Sequence, residues 1–145
     1  MRVLIVDDKE ENLYYLTALL GAHDYVVESA RHGAEALAKA RLSPPDLVIS
    51  DLLMPVMDGY TLLRHWKSDT RLNKAPFIVY TATYTEPEDE RLARSLGADA
   101  FILKPTEPEQ FLSRLLAVQA CMETAAARPS EPPASTGDGL LREYS

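Results

Sequence analysis

The sequence predicts an α/β protein with five successive βα units in a doubly wound parallel sheet of strand order 2-1-3-4-5. Short runs rich in β-branched residues alternate with intervals of helical length over residues 2 to 122. Three of these runs are apolar almost without interruption, which is typical of parallel strands that helices cover on both faces. Right-handed crossovers between such strands favour the doubly wound arrangement.

The elements can be assigned in order along the chain. We expect strands at residues 3–6, 25–27, 47–49, 77–80 and 100–103. Apolar residues at helical spacing predict the first three helices at residues 11–20, 34–40 and 59–67. Thr85 and Thr106 each precede Glu-Pro-Glu, which indicates a capping box with proline in the first turn. These boxes should open a fourth helix that runs to Leu96, with Gly97 as its C-terminal cap, and a fifth that runs to about Met122.

The composition changes after the fifth helix. Residues 123–145 are rich in Pro, Ala and Ser and contain too few apolar residues to form a core. We therefore predict one domain at residues 1–122, followed by a flexible tail or linker. Two interpretations stay open: the tail leads to an output domain that this chain does not contain, or the domain stands alone with a frayed end.

Charge and composition disfavour several classes of protein. The formal net charge is −7 and no basic stripe is present, so we do not expect direct nucleic-acid binding. No apolar run approaches the ~18 residues that would span a membrane. The single Cys121 cannot form an internal disulfide, which is typical of a protein of the reducing cytoplasm.

Polar residues that could take part in catalysis or ligand binding follow four of the predicted strands. They are Asp7 and Asp8 after the first strand, Asp51 after the third, Thr81 after the fourth and Lys104 after the fifth. Each has an ordinary structural explanation when taken alone, since such residues cap helices and form turns. In a doubly wound sheet, however, the carboxyl ends of the strands meet at one edge, where ligands bind.

The combination predicts a phosphoryl-acceptor site. Crowded carboxylates repel one another unless a cation joins them, and Mg²⁺ prefers oxygen ligands together with phosphate oxygens. Asp51 can serve as the nucleophile, and Asp7 and Asp8 can support the metal. Lys104 can pair with Asp51 in the resting state and with phosphoryl oxygens afterwards, and Thr81 can donate its hydroxyl to them.

The sequence resembles the receiver domains of two-component response regulators over about residues 2 to 120. Four motifs in the family's order carry the resemblance: Leu4-Ile5-Val6-Asp7-Asp8, Asp51-Leu52-Leu53-Met54-Pro55-Val56-Met57-Asp58-Gly59, Thr81-Ala82 and Leu103-Lys104-Pro105. The resemblance implies a flavodoxin-like fold. It also implies a cytoplasmic signalling switch that takes a phosphoryl group from a sensor histidine kinase or a histidine phosphotransfer protein.

The resemblance assigns roles to individual residues. Asp51 would accept the phosphoryl group, and Asp8, Asp51 and the backbone carbonyl of Leu53 would bind Mg²⁺, or Mn²⁺ as a substitute. Asp7 would act mainly through water. The remaining roles that it implies are phosphoryl-oxygen contacts for Lys104 and Thr81, a cis Lys104–Pro105 bond, and a switch in which Phe101 follows Thr81.

The resemblance also bears on output. It implies a readout face, and with it a homodimer contact, on the fourth helix, fifth strand and fifth helix. The chain would then be a phosphoacceptor that assists its own phosphorylation and dephosphorylation, and not a turnover enzyme.

Two other classes share the architecture. A haloacid-dehalogenase-like phosphatase would need an acid two residues after its nucleophile, and Leu53 stands there. A flavin- or nucleotide-binding module would carry a Gly- or Ser/Thr-rich loop after the first strand, where this chain has Asp7-Asp8-Lys9-Glu10-Glu11. Both are therefore disfavoured.

Overall fold

The computed structural model describes residues 1–52, 54, 56–82 and 86–127, with residues 122–127 described only as part of a helix. Its strands are β1 (Arg2–Val6), β2 (Val26–Ala30), β3 (Leu47–Ser50), β4 (Phe77–Thr81) and β5 (Ala100–Leu103). Its helices are α1 (Glu10–Gly21), α2 (Gly33–Leu42), α3 (Gly59–Ser68), α4 (Pro87–Ser95) and α5 (Pro108–Ala127).

The strands form one parallel sheet in the order β2-β1-β3-β4-β5, which confirms the predicted topology. The register places Val6 opposite both Ala30 and Ser50 at the carboxyl ends of three strands. Thr81 lies opposite Leu103 at the same edge. The residues that follow these strands therefore start side by side at one edge of the sheet.

The apolar runs are explained by two cores, one on each face of the sheet. Successive residues of β1 alternate between the cores, with Leu4 in the first and Ile5 in the second. The first core includes side chains of α2, α3 and α4, among them Trp66, and the second includes side chains of α1 and α5, among them Phe111. A strand that is buried on both faces has no polar alternate, as the sequence indicated.

Several boundaries differ from the prediction. β2 begins one residue later and extends to Ala30, because this edge strand carries polar residues that hid its length; Val26 at its start is 62% exposed. The N-cap of α4 is Glu86, not Thr85, and Thr85 lies outside the described residues. Proline at the first helical position suits the fixed φ of its ring, so the helix starts at Pro87.

The fifth helix also departs from the predicted capping box. The Thr106 hydroxyl donates back to the carbonyl oxygen of Leu103. The helix α5 begins two residues later, at Pro108. The helix continues through Ala127, beyond the predicted end at Met122. Gly97 confirms its predicted role, since it follows α4 with φ +112°, in the left-handed region that favours glycine.

The tail beyond Ala127 lies outside the described residues, so the predicted tail or linker and the boundary of the domain remain predictions. Within the described part of the chain, none of the helices combines the length and apolar character needed to cross a membrane.

Gly59 provides a test of the packing that supports the carboxyl edge. Its N–H donates to the carbonyl oxygen of Leu52 at 2.8 Å, and a Cβ at this position would lie 2.3 Å from the carbonyl oxygen of Asp51. Because that obstacle is backbone, we expect Gly59→Ala to lower the free energy of unfolding by roughly 2–4 kcal/mol in urea titrations.

Gly21 is the matched control for this substitution. It ends α1, and a Cβ there would meet no atom within 4 Å. Gly21→Ala should leave stability unchanged or raise it by up to about 1 kcal/mol. Equal unfolding midpoints for the two variants would contradict the close approach at Gly59.

Candidate functional site

Three carboxylates meet at the carboxyl edge of the sheet, as the sequence predicted. Asp7 and Asp8 follow β1, and Asp51 follows β3, the neighbouring strand. Asp7 and Asp51 are buried, Asp8 is half-buried, and one carboxylate oxygen of each lies within 4.8 Å of the others. Since like charges this close repel one another, the group favours a bound cation.

Asp51 is held by contacts of both its carboxylate and its backbone. Its Oδ1 accepts hydrogen bonds from the Thr81 hydroxyl and from the N–H of Leu52, both at 2.7 Å. Its Oδ2 lies 3.4 Å from Nζ of Lys104. Its N–H donates to the carbonyl oxygen of Val6, so the backbone at Asp51 is tied to β1. The Asp51 carboxylate therefore contacts Thr81 and Lys104, the two residues that were predicted to lie beside it.

Lys104 makes its closer ion pair with Asp7 rather than with Asp51. Its Nζ lies 2.7 Å from Oδ2 of Asp7, and its side chain is 15% exposed. Asp7 also accepts from the N–H of Lys9 at 2.9 Å and from Nδ2 of Asn12 at 3.1 Å. Asn12 was not predicted as a site residue, because its only signal in the sequence is its place in the first turn of α1, one helical turn after the acid pair.

The environment of Asp8 shows whether these residues fit a bound metal ion. Its Oδ1 is buried and has no hydrogen-bond partner among the described residues. An unpaired buried carboxylate oxygen is costly, and a divalent cation would relieve that cost. The donor set consists of carboxylate oxygens, which Mg²⁺ prefers, so these residues fit the ion. Leu53, whose carbonyl the resemblance adds to this set, lies outside the described residues.

An aromatic pair lies beside Lys104. The ammonium is 5.2 Å from the centroid of the Tyr80 ring, and that ring packs against Phe111 of α5 with centroids 4.8 Å apart. Burial raises the pKa of the Tyr80 phenol, and Tyr15 and Asp7 add to the effect, so the ring stays neutral. The peptide bond from Lys104 to Pro105 is cis, as the resemblance implied.

Phe101 lies two strands from Asp51, on β5 next to β4. It is opposite Val79 in the register, its side chain is buried in the first core, and its carbonyl oxygen accepts from Nη2 of Arg114 at 3.3 Å. An open groove of about 670 Å³ borders it between α4, β5 and α5. The structure thus places Phe101 between the interior and the predicted readout face.

A contact that the sequence did not reveal joins α3 to α4. The Tyr60 hydroxyl donates to Oδ1 of Asp89 at 2.8 Å, and the N–H of Glu86 donates to the other carboxylate oxygen at 2.8 Å. Burial, followed by the bond to Asp89, raises the pKa of Tyr60. The Tyr60 bond and then the Glu86 amide lower the pKa of Asp89. The contact anchors the start of α4 to the helix that follows the Asp51 loop.

Residues 3–116 match the family model of the response regulator receiver domain. Among curated proteins, the chain is 34% identical over 119 residues to the protein PilH of Pseudomonas aeruginosa, covering 82% of this chain and 98% of that protein. It is 36% identical over 115 residues to the response regulator PleD of Caulobacter vibrioides, covering 79% of this chain and 25% of that protein.

Solved structures agree with these matches. The chemotaxis protein CheY4 of Vibrio cholerae is similar with a TM-score of 0.76 and 34% identity, over 81% of this chain and 97% of that one. The receiver domain of a signal transduction histidine kinase from Syntrophus aciditrophicus is similar with a TM-score of 0.76 and 35% identity, over 90% of this chain and 96% of that one.

The contact between α3 and α4 gives a pH prediction. Asp89 has a lowered pKa in the folded chain, so its stabilising contribution is present above its ordinary pKa of 3.8 and is lost as pH falls through the folded value. Tyr60→Phe removes the largest cause of the shift, and we expect the pKa of Asp89 to rise toward 3.8 in a carboxyl-detected NMR titration. Tyr14→Phe, at a side chain that is 78% exposed, should leave it unchanged. An unaltered Asp89 titration in Tyr60→Phe would show that the bond does not persist in solution.

Proposed function

The chain belongs to the response regulator receiver domain family, and on that premise we propose that it is a phosphoryl-accepting switch of a two-component phosphorelay. Receiver domains of this family are regulatory signalling domains that accept phosphate from histidine kinases. In the proposed reaction, Asp51 takes the phosphoryl group from a phosphohistidine of a sensor kinase or a histidine phosphotransfer protein. The observation that carries the proposal is the Asp51 carboxylate, placed between two further acids, a hydroxyl donor and an ammonium group.

The chemistry follows from these contacts. A bond forms between a carboxylate oxygen of Asp51 and phosphorus while the phosphorus–nitrogen bond of the donor breaks, and its electron pair stays on the imidazole. The hydrogen bonds from Thr81 and from the N–H of Leu52 to Oδ1 hold the carboxylate in one orientation. Lys104 lies close enough to transfer its contact from Asp7 to the incoming phosphoryl oxygens, and the Thr81 hydroxyl can donate to them.

A divalent cation is part of the proposal. Asp8, Asp51 and the carbonyl of Leu53 would hold Mg²⁺, or Mn²⁺ in its place, and Asp7 would contribute mainly through water. When bound, the cation neutralises the carboxylates and the oxygens of the transferred group. The unpaired Asp8 oxygen supports this assignment because it has no partner among the described protein groups.

The proposed switch runs through Thr81 and Phe101. Thr81 already donates to Asp51, and Phe101 is buried on the adjacent strand, so the described arrangement suits the state in which both side chains point inward. Added charge at Asp51 would favour that state and change the face of α4, β5 and α5. A homodimer through this face is part of the proposal.

The chain is proposed as a regulatory domain and not as a turnover phosphatase. The position two residues after Asp51 is Leu53, which has no proton to donate. The chain spans nearly all of PilH but a quarter of PleD, so a stand-alone switch and a part of a longer protein are both compatible with the relatives. A cytoplasmic location belongs to the proposal as well.

Substitution of the acceptor tests the central proposal. With acetyl phosphate and Mg²⁺, we expect the wild type to gain one phosphoryl group by intact mass and Asp51→Asn to gain none, because the amide is a poor nucleophile. The matched control is Asp24→Asn, an exposed aspartate at φ +70° where asparagine is well tolerated, and it should be labelled like the wild type. Equal labelling of Asp51→Asn would overturn the proposal.

The metal is tested at Asp8. Because its buried oxygen is unpaired, Asp8→Ala should raise the free energy of unfolding without Mg²⁺ by about 1–3 kcal/mol and remove the extra stability that Mg²⁺ gives the wild type. Urea titrations with and without Mg²⁺ measure both effects, and acetyl phosphate labelling should fall in parallel. Glu11→Ala, at an exposed position of α1, is the control. Full Mg²⁺ stabilisation of Asp8→Ala would show that Asp8 does not bind the metal.

A further inference from the structure

The flexible side chain of Lys104 must be held in one position if its ammonium is to assist phosphoryl transfer to Asp51. Its ammonium is placed between Asp7 at 2.7 Å and Asp51 at 3.4 Å, so it contacts the acceptor less closely than the neighbouring acid. A lysine side chain has a flexible four-carbon stem and a strongly hydrated ammonium group, so holding it in one position costs conformational entropy. A third contact that limits this freedom would affect the rate of phosphoryl transfer.

The Tyr80 ring provides such a contact. Its centroid lies 5.2 Å from Nζ of Lys104, within the range of a cation–π interaction. The ring itself is fixed, since Tyr80 is 6% exposed, belongs to β4 and packs on Phe111 at 4.8 Å between centroids. The negative face of an aromatic ring attracts an ammonium group more strongly at a buried site than at a site exposed to water.

From this geometry we infer that Tyr80 is a positioning residue for phosphoryl transfer, acting by holding the Lys104 ammonium over its ring and within reach of Asp51. The inference rests on the proposed function. Tyr80 immediately precedes Thr81 in β4, so one strand end would position two of the groups that contact the acceptor. The aromatic ring carries the effect, and the phenol hydroxyl does not.

Two predictions on labelling rate separate the ring from the hydroxyl. With acetyl phosphate and Mg²⁺, Tyr80→Leu should lower the initial rate of Asp51 labelling by roughly five- to tenfold, the scale of one lost cation–π contact. Tyr80→Phe keeps the ring and should recover most of the wild-type rate. Tyr14→Leu, at a largely exposed tyrosine of α1, is the control for a tyrosine lost elsewhere.

A double-mutant cycle tests whether Tyr80 acts through Lys104. In a Lys104→Met background, Tyr80→Leu should cause no further loss of rate, because the cation is gone. A rate loss of the same size in both backgrounds would make Tyr80 structural and overturn the inference. A wild-type rate in Tyr80→Leu, or an equal loss in Tyr80→Phe, would overturn it as well.

A second measurement does not depend on the folding of Tyr80→Leu or on phosphorylation. Protons of the Lys104 ε-methylene should be shifted upfield by the ring current in NMR spectra of the wild type and of Tyr80→Phe. Unshifted ε-methylene protons in the wild type would refute the contact. If the wild type takes no label at Asp51, the proposed function fails, and this spectrum still decides whether Tyr80 holds Lys104.

Discussion

The parallel register of β1 and β3 is the constraint on which the functional edge depends. Val6 pairs with Ser50, so the chain must place Asp7, Asp8 and Asp51 on adjacent strand ends, within 4.8 Å of one another. This proximity opposes folding, because three negative charges repel one another. The buried contacts of the two cores hold the strands in register in spite of it.

The surrounding contacts offset this repulsion unevenly. Asp7 receives the Lys104 ammonium at 2.7 Å, an amide side chain and a backbone N–H. Asp51 receives a hydroxyl, a backbone N–H and the same ammonium at the longer distance of 3.4 Å. Asp8 keeps a buried oxygen without a partner among the described groups. The edge is therefore neutralised where Lys104 reaches and remains unneutralised at the oxygen best suited to a metal ion.

The sequence predicted the topology because burial on both faces leaves a clear signal in β1, β3 and β4, which lie inside the sheet. It predicted the convergence of Asp7, Asp8, Asp51, Thr81 and Lys104 for the same reason, since parallel strands end at one edge. Boundaries were less accurate where the signal is local, as at the polar edge strand β2 and at Thr85 and Thr106. Asn12, Tyr80 and the Tyr60–Asp89 bond could not be predicted, because each depends on side-chain directions that residue spacing does not specify.

The alternation of β4 gives the edge access to both cores. Thr81 donates to Asp51, and Val79, two residues earlier, lies in the first core opposite Phe101. Tyr80 lies between them in sequence and points into the second core, where it meets Phe111 of α5. Negative charge added at Asp51 would attract both the Thr81 hydroxyl and the Lys104 ammonium. Thr81 is on the same face of β4 as Val79 of the first core, and Lys104 lies over the ring of Tyr80, which belongs to the second. The proposed switch would therefore have contacts toward both faces of the sheet at one strand end.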